Sequence, residues 1–479
     1  MIQERGLDML QRRLWILLLP LAAPGCVSNT PQAPDAVTYQ SDVIGVEEAH
    51  LSADFWVKRL PSPDAVVMDR AAIDDWNAQS FAADATMADL ASYPAHLDGI
   101  AVRTMIESLS RRPASERYYE DGRPLIDADF ARYEQALNTG ALDGTVRTAF
   151  GLVVARANMR TFPTRDRVFN AVPAGDLDRF QEHALFPGEG VVVLHQSAAG
   201  DWLFVQSYNY AGWVAAEGIA LTDRQTMLDY LSAPDFVVVT GSKITTAYNP
   251  HVAAVSELQL DMGVRLPRVH PAEAGNNVHG QNPFASYIVR LPVRADDGSL
   301  RLELALLPRN RGVSVGYLPY TRENVIRQAF EFLGERYGWG HSYNARDCTG
   351  FVSEVYKTFG LLMPRNSGDQ GKSDIGGNQR FDADAADTQK TAALRALDPG
   401  SLVYLPGHVM MHIGNIDGEP YIIHDVYGLG YETEDGSYYR GVLAGVSVTP
   451  LLPLRLSAET SYVDRIYNIK TIQANGANQ

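Results

Sequence analysis

The chain has 479 residues, 46% hydrophobic and 20% charged, and its 57 Asp and Glu outweigh 41 Lys and Arg for a formal net charge of −16. A length of this order implies about three or four domains. The acidic balance, with no Lys/Arg run, excludes a nucleic-acid partner, whose phosphates are bound through counterion release to basic patches. Two cysteines exclude a disulfide framework.

Arg12 and Arg13 precede an apolar core from Leu14 to Leu21 and then LAAPGC. That core is too short for a bilayer, where about 20 residues are needed, so residues 1–26 read as an export signal. The small residues before Cys26 resemble a bacterial lipoprotein signal. This implies lipidation of Cys26 and, with Val27 following, a periplasmic protein anchored to the outer membrane, touching membrane through its lipid alone. A plain secretory signal cut nearby is the alternative. Residues 27–45, with Pro31 and Pro34, read as a tether.

Residues 46–145 carry helical periodicity in DFWVKRLPSPDAVVMDRAAIDDWNAQSF and LIDADFARYEQAL, with Trp56, Ile73, Trp76, Phe81, Phe130 and Tyr133 as the expected buried side. Residues 146–235 switch to short strands punctuated by Gly and Pro, and residues 236–318 repeat that rhythm with little identity; each suggests a small barrel. His195, in VVVLHQS, is expected to be a hydrogen-bonded strand residue and not a ligand.

In residues 319–479 a helix is predicted from Thr321 to Tyr337 and a short one near 385–396. Between them YGWGHSYNARDCTGFVSEVYKTFG sets Cys348 at the start of an amphipathic helix, with Asp347 as cap and Gly360 as stop. A thiol in a first helical turn faces free N–H groups and the positive end of the dipole, which predicts a lowered pKa and fast alkylation. The competing reading is a buried, inert cysteine. A thiolate needs a base, and the base a partner that orients it. SLVYLPGHVMMHIG and YIIHDV supply His408, His412 and His424 on strand-like runs. Periodicity does not choose between His408 and His412, which share one strand face. A zinc site is disfavoured, because strand spacing separates those two by about 13 Å; no metal and no cofactor are expected.

DCTGFV, with YGWG before it and LMPRNSGDQ, GHVMMHIG and YIIHDV after it, resembles the NlpC-type cell-wall cysteine peptidases, which have a papain-like core and a usual D-C-S-G-F motif. Thr349 replaces the Ser, and Gly340-His341 stands where two glycines are common. The resemblance implies Cys348 as nucleophile, His408 as base and His424 as its orienting partner, with His412 a spare. It further implies that Asp347 meets the α-amine of an N-terminal L-Ala, that Tyr337 and Thr349 line the same pocket, and that Tyr208 and Tyr210 wall the cleft. The segment at 46–145 resembles a stabilising domain, and GDW…GWV resembles a bacterial SH3-like domain.

The implied fold is multidomain α+β: a helical N-terminal domain, two SH3-like barrels (146–235 and 236–318) and a catalytic domain (319–479), acting as a monomer. The implied reaction is cleavage of the γ-D-glutamyl to diamino-acid bond of peptidoglycan stem peptides with a free N-terminal L-Ala. A non-catalytic, cell-wall-binding lipoprotein is the second reading, and an acyltransferase using the same residues a smaller third. For His408 and His424 to share a sheet face, a regular two-residue turn at Asp417-Gly418 does not suffice, because it sets His424 opposite Met411. An odd-length loop or a bulge is therefore expected between them.

Overall fold

The computed structural model describes residues 41–474 apart from Ala174 and Asp176, so the expected signal and Cys26 lie outside the described residues. Asp69, Asp98 and Thr321 cap α1 (Arg70–Ala83), α2 (Gly99–Leu109) and the later α5 (Arg322–Phe330) by accepting backbone N–H bonds. α3 (Asp127–Ala136) and α4 (Arg224–Leu231) complete the longer helices before α5.

The segment at 46–145 does not form one core. Trp56, Ile73 and Trp76 pack with Val325, Ile326 and Ala329 of α5, whereas Val102, Ile106, Phe130 and Tyr133 pack on the first β-sheet. Val66–Met68 even pairs with Tyr320–Thr321, far along the chain. An amphipathic helix records that it has a buried face and not what lies against it. The expected tether also ends early, since the Tyr421 hydroxyl donates to Gly45 O at 2.6 Å and that of Tyr431 to Asp42 O at 2.8 Å.

The first sheet holds β1 (Ala149–Val153), β2 (Ala157–Arg160), β3 (Gln181–Leu185), β4 (Gly190–Gln196), β5 (Trp202–Gln206), β6 (Ala211–Ala215) and β7 (Ile219–Thr222). Its order is β7-β1-β4-β5-β6-β2-β3, with antiparallel pairs throughout. His195 is a half-buried strand residue whose Nε2 lies 3.1 Å from both Leu137 O and Asn138 O.

Residues 236–315 build smaller antiparallel pairings, with Phe236–Val239 between Arg265–Pro267 and Val313–Val315, and Ser286–Arg294 against Leu300–Pro308. Val237, Val239, Leu260, Val264, Leu266, Val289 and Leu291 fill their own core.

The C-terminal sheet holds β8 (Gly377–Arg380), β9 (Leu402–Leu405), β10 (His408–Ile416), β11 (Glu419–Glu432), β12 (Tyr438–Pro450) and β13 (Asn468–Thr471), in the order β8-β13-β9-β10-β11-β12. α6 (Cys348–Lys357) buries Phe351, Val352 and Val355 against the face carrying Val409, Met411 and Ile423. Met410, Ile422 and Ile469 form a second core on the other face with Tyr462 and Val463. α5 is shorter than expected, because the chain turns after Phe330 toward Gly334, whose φ is +81°. The helix expected near 385–396 spans Asp387–Arg395. No helix among the described residues is long and apolar enough to cross a membrane.

Candidate active site

Cys348 opens α6, and Asp347 caps it by accepting the Gly350 N–H at 3.0 Å. Glycine at 350 has a steric cause: a Cβ there would stand 2.5 Å from His341 Nε2. The loop before the helix is held in left-handed backbone at Gly340, His341, Tyr343 and Asn344, with φ from +55° to +67°. His341 occupies a conformation that suits glycine. Burial and a 3.2 Å contact from its Nε2 to Glu354 hold it there.

The hairpin restores parity with a bulge. Asp417-Gly418 forms a two-residue turn with both φ positive, and Ile416↔Glu419 through Gly414↔Tyr421 keep the register of a tight hairpin. The register then shifts at Ile413, so that His412↔Ile422 and Met411↔Ile423 follow. His424 thereby moves onto the face of Met410 and His408. Its Nδ1 lies 3.0 Å from His408 Nε2, and its Nε2 lies 3.2 Å from Thr449 Oγ1. His412 is fully buried, about 13 Å along the strand from His408. The backbone N–H of Val409, next to His408, lies close enough to the Cys348 thiol to favour its ionised form.

The electrostatics reverse one expectation. The Cys348 thiol, 7% exposed, is pushed up to about 12, by burial first and then by the Asp347 carboxylate. The resting thiol is therefore neutral at physiological pH. Burial also lowers His408 to about 4, so its imidazole is neutral at physiological pH. A neutral base survives to lower pH than an ordinary histidine. The acid limb of kcat/KM is therefore expected near pH 4 in a pH–rate profile, and a limb near 6.5 would show that the base lies elsewhere. Alkylation of Cys348 by iodoacetamide at pH 7 is expected to be slower than that of an unperturbed thiol.

Asp347 is engaged on both oxygens. Oδ1 accepts from Gly350 N, the Thr349 hydroxyl at 2.9 Å and Arg365 Nη1 at 3.2 Å; Oδ2 accepts from Gly340 N at 3.0 Å and Arg365 Nη2 at 2.6 Å. Burial alone would raise this carboxyl, but the Arg365 guanidinium overrides it and holds it below the usual carboxylate range. Thr349 is buried beneath the same arginine. These contacts tie both residues into the start of α6.

Arg365 also donates to His183 Nδ1 and to Glu182 O, both at 2.9 Å, tying β3 of the first sheet to the start of α6. Gln181 Nε2 donates to Gly340 O at 2.8 Å, and at Gly340 a Cβ would meet Gln181 O at 2.7 Å. The Tyr210 hydroxyl donates to Glu182 Oε2, which places Tyr210 at this junction. The Tyr208 ring lies 5.7 Å from Lys357 Nζ, and Tyr208 lines a small cavity together with His183, Thr349, Gly350 and Arg365. Tyr337 is half-buried, close enough to Asp347, Cys348 and Asp425 for their charges to push its hydroxyl up together with burial.

Beneath the loop, fully buried Arg346 pairs with Glu354, Glu335 and Asp261, and Arg156 joins Asp261 while donating to Ala345 O at 2.6 Å. Both β segments therefore reach the turn that precedes Cys348. Sequence reasoning missed Glu182, His183, Arg365, Asp425 and Thr449. Arg365 was within view as the charged residue of LLMPRNSG, and Glu182-His183 as the polar pair inside FQEHALF. Asp425 has a fully buried carboxyl with no hydrogen-bond partner among the described residues, and burial raises it well above the usual range.

The papain-like arrangement of helix, sheet and paired histidines agrees with comparison to known proteins. Residues 334–448 match the NlpC/P60 family and residues 167–215 the SH3 domain of SH3b1 type. The chain is a multidomain α+β protein that carries an NlpC/P60 domain and an SH3b1-type domain. It is 27% identical over 204 residues to a gamma-D-glutamyl-L-lysine dipeptidyl-peptidase of Bacillus cereus, covering 39% of this chain and 53% of that protein. It is 31% identical over 124 residues to a probable endopeptidase p60 of Listeria seeligeri, covering 25% and 21%. The chain thus spans about half the length of the first relative and about a fifth of the second. Its fold is similar to that of an NlpC/P60 endopeptidase from Photobacterium damselae subsp. piscicida, with a TM-score of 0.68 at 17% identity, over 87% of this chain and 96% of that one.

Proposed function

We propose that the chain is an exported cysteine peptidase that hydrolyses cell-wall stem peptides at the γ-D-glutamyl to diamino-acid bond. The observations that carry this reading are the His408–His424 contact at 3.0 Å and a cysteine that opens a helix and lies near the backbone of Val409, the residue after His408. With Nε2 engaged by His424, Nδ1 is the nitrogen His408 has left for the thiol. Cys348 sulfur attacks the carbonyl carbon while His408 takes its proton, and the oxyanion is met by backbone N–H groups at the helix start, that of Cys348 among them. Collapse breaks the C–N bond, His408 returns the proton to the leaving amine, and water then releases the thioester as an acid.

Glu182 and Tyr210 from the first sheet, with Asp347 and Arg365, favour a substrate whose α-amine is free. Glu182 is the better amine partner, because the Asp347 oxygens are occupied within the protein. Tyr337 borders the same pocket. The test is mass spectrometry of digests: free L-Ala-γ-D-Glu-diaminopimelate is expected to be cut at least about 100-fold faster than stems still joined to glycan. Equal rates on the tripeptide and on intact sacculi would require an open cleft and contradict the reading.

Residues 236–318, with their own barrel-like core, are proposed as a second SH3-like domain, and residues 46–145 as a helical stabilising segment shared between two cores. Residues 1–26 are proposed as the export signal, with Cys26 as lipidation site and a periplasmic location. The second reading, a wall-binding protein without hydrolysis, is favoured by the burial of Cys348; the same digests separate the two.

A further inference from the structure

Three side chains stand in a row on one face of the C-terminal sheet, each from the next strand: His408 of β10, His424 of β11 and Thr449 of β12. The contacts are His408 Nε2 to His424 Nδ1 at 3.0 Å and His424 Nε2 to Thr449 Oγ1 at 3.2 Å. His424 and Thr449 are fully shielded from solvent, so water does not compete for these nitrogens. Ser447, directly across from His424, turns its hydroxyl to Gly445 O at 3.2 Å.

A chain of two imidazoles has two proton arrangements. In one, His408 carries its proton on Nε2 and donates to His424 Nδ1, which obliges His424 to carry its proton on Nε2. This leaves His408 Nδ1 with a lone pair. In the other, His424 donates from Nδ1, and His408 must hold its proton on Nδ1, which is then a donor and no base. A neutral imidazole has one N–H, so whatever satisfies His424 Nε2 decides both rings.

We infer that the Thr449 hydroxyl accepts the Nε2–H of His424 and so sets the tautomers of both histidines, making Thr449 a positioning residue for the base. The inference rests on the reading of Cys348, His408 and His424 as the catalytic set. It gains force during turnover. Once His408 has taken the thiol proton it donates from Nε2, His424 Nδ1 must then be an acceptor, and Thr449 is again the partner for the remaining N–H. Valine keeps the shape of threonine without the acceptor. The buried Nε2–H would be left unpartnered, which favours the opposite tautomer.

The experiment compares the full chain with its Thr449→Val and Thr449→Ser variants on the free tripeptide, together with ¹⁵N NMR of histidine-labelled wild-type protein. Thr449→Val is expected to lose kcat by roughly 10²-fold with KM little changed, the scale of a misoriented general base. Thr449→Ser, which keeps the hydroxyl, is expected to restore most of the rate, and the His424 resonances to show Nε2 protonated and Nδ1 bare. A folded Thr449→Val at the wild-type rate, a Thr449→Ser as impaired as Thr449→Val, or a His424 protonated on Nδ1 would overturn the inference. If Thr449→Val does not fold, the wild-type spectrum decides. Cleavage that survives in Cys348→Ala would overturn the catalytic reading instead, and the tautomer measurement would still stand by itself.

Discussion

Cys348→Ala is expected to abolish hydrolysis, and His408→Ala to reduce it by at least about 10³-fold, with the fold intact in both, because on the proposed mechanism the two side chains act as one unit of nucleophile and base. The comparison that makes this specific is His412→Ala. His412 lies on the same strand face and is fully buried, so its truncation is expected to open a cavity and lower stability while the folded fraction keeps a substantial rate. Steady-state kinetics on the free tripeptide, with circular dichroism to verify folding, separate the cases. A folded His412→Ala as inactive as His408→Ala would move the base to His412.

Arg346→Ala is expected to be the most destabilising single change near the site, by about 3–5 kcal/mol, because it strands the solvent-shielded carboxylates of Glu354 and Asp261. Arg346 is fully buried and pairs with Glu354 on the nucleophile helix, Glu335 before the loop and Asp261 of the central β segment. Lys243 adds a further pair to Glu335 at 2.9 Å. Urea denaturation followed by fluorescence measures the loss. A change below about 1 kcal/mol would mean that the pairs contribute no more than surface ion pairs do.

The helix of Cys348, its cap and its stop were legible because capping and amphipathic spacing are local properties. The bulge was legible as well, since strand parity and the need for both histidines on one face demanded an extra residue, which the structure places at Ile413. The thiol was misread. The helix start can be inferred from position, but the burial that raises the thiol most is a tertiary property. Arg365 escaped notice because a lone arginine in an apolar run shows nothing of the Asp347, His183 and Glu182 contacts that the fold brings to it.

The role of Asp347 was half legible. Its capping of α6 follows from its place before Cys348, whereas its ion pair with Arg365 joins residues on either side of the helix. That pair leaves Glu182, supplied by the first sheet, as the carboxylate proposed to meet a substrate amine. No periodicity within 319–479 could have pointed to it.

The most direct test of the central claim is to trap the acyl-enzyme. The full chain is mixed with the free tripeptide, quenched in acid within the turnover time, digested and read by mass spectrometry. The account predicts an L-Ala-γ-D-Glu adduct as a thioester on the peptide containing Cys348, absent in Cys348→Ala. Product formation at an undiminished rate in Cys348→Ala, or an adduct on any other residue, would contradict it.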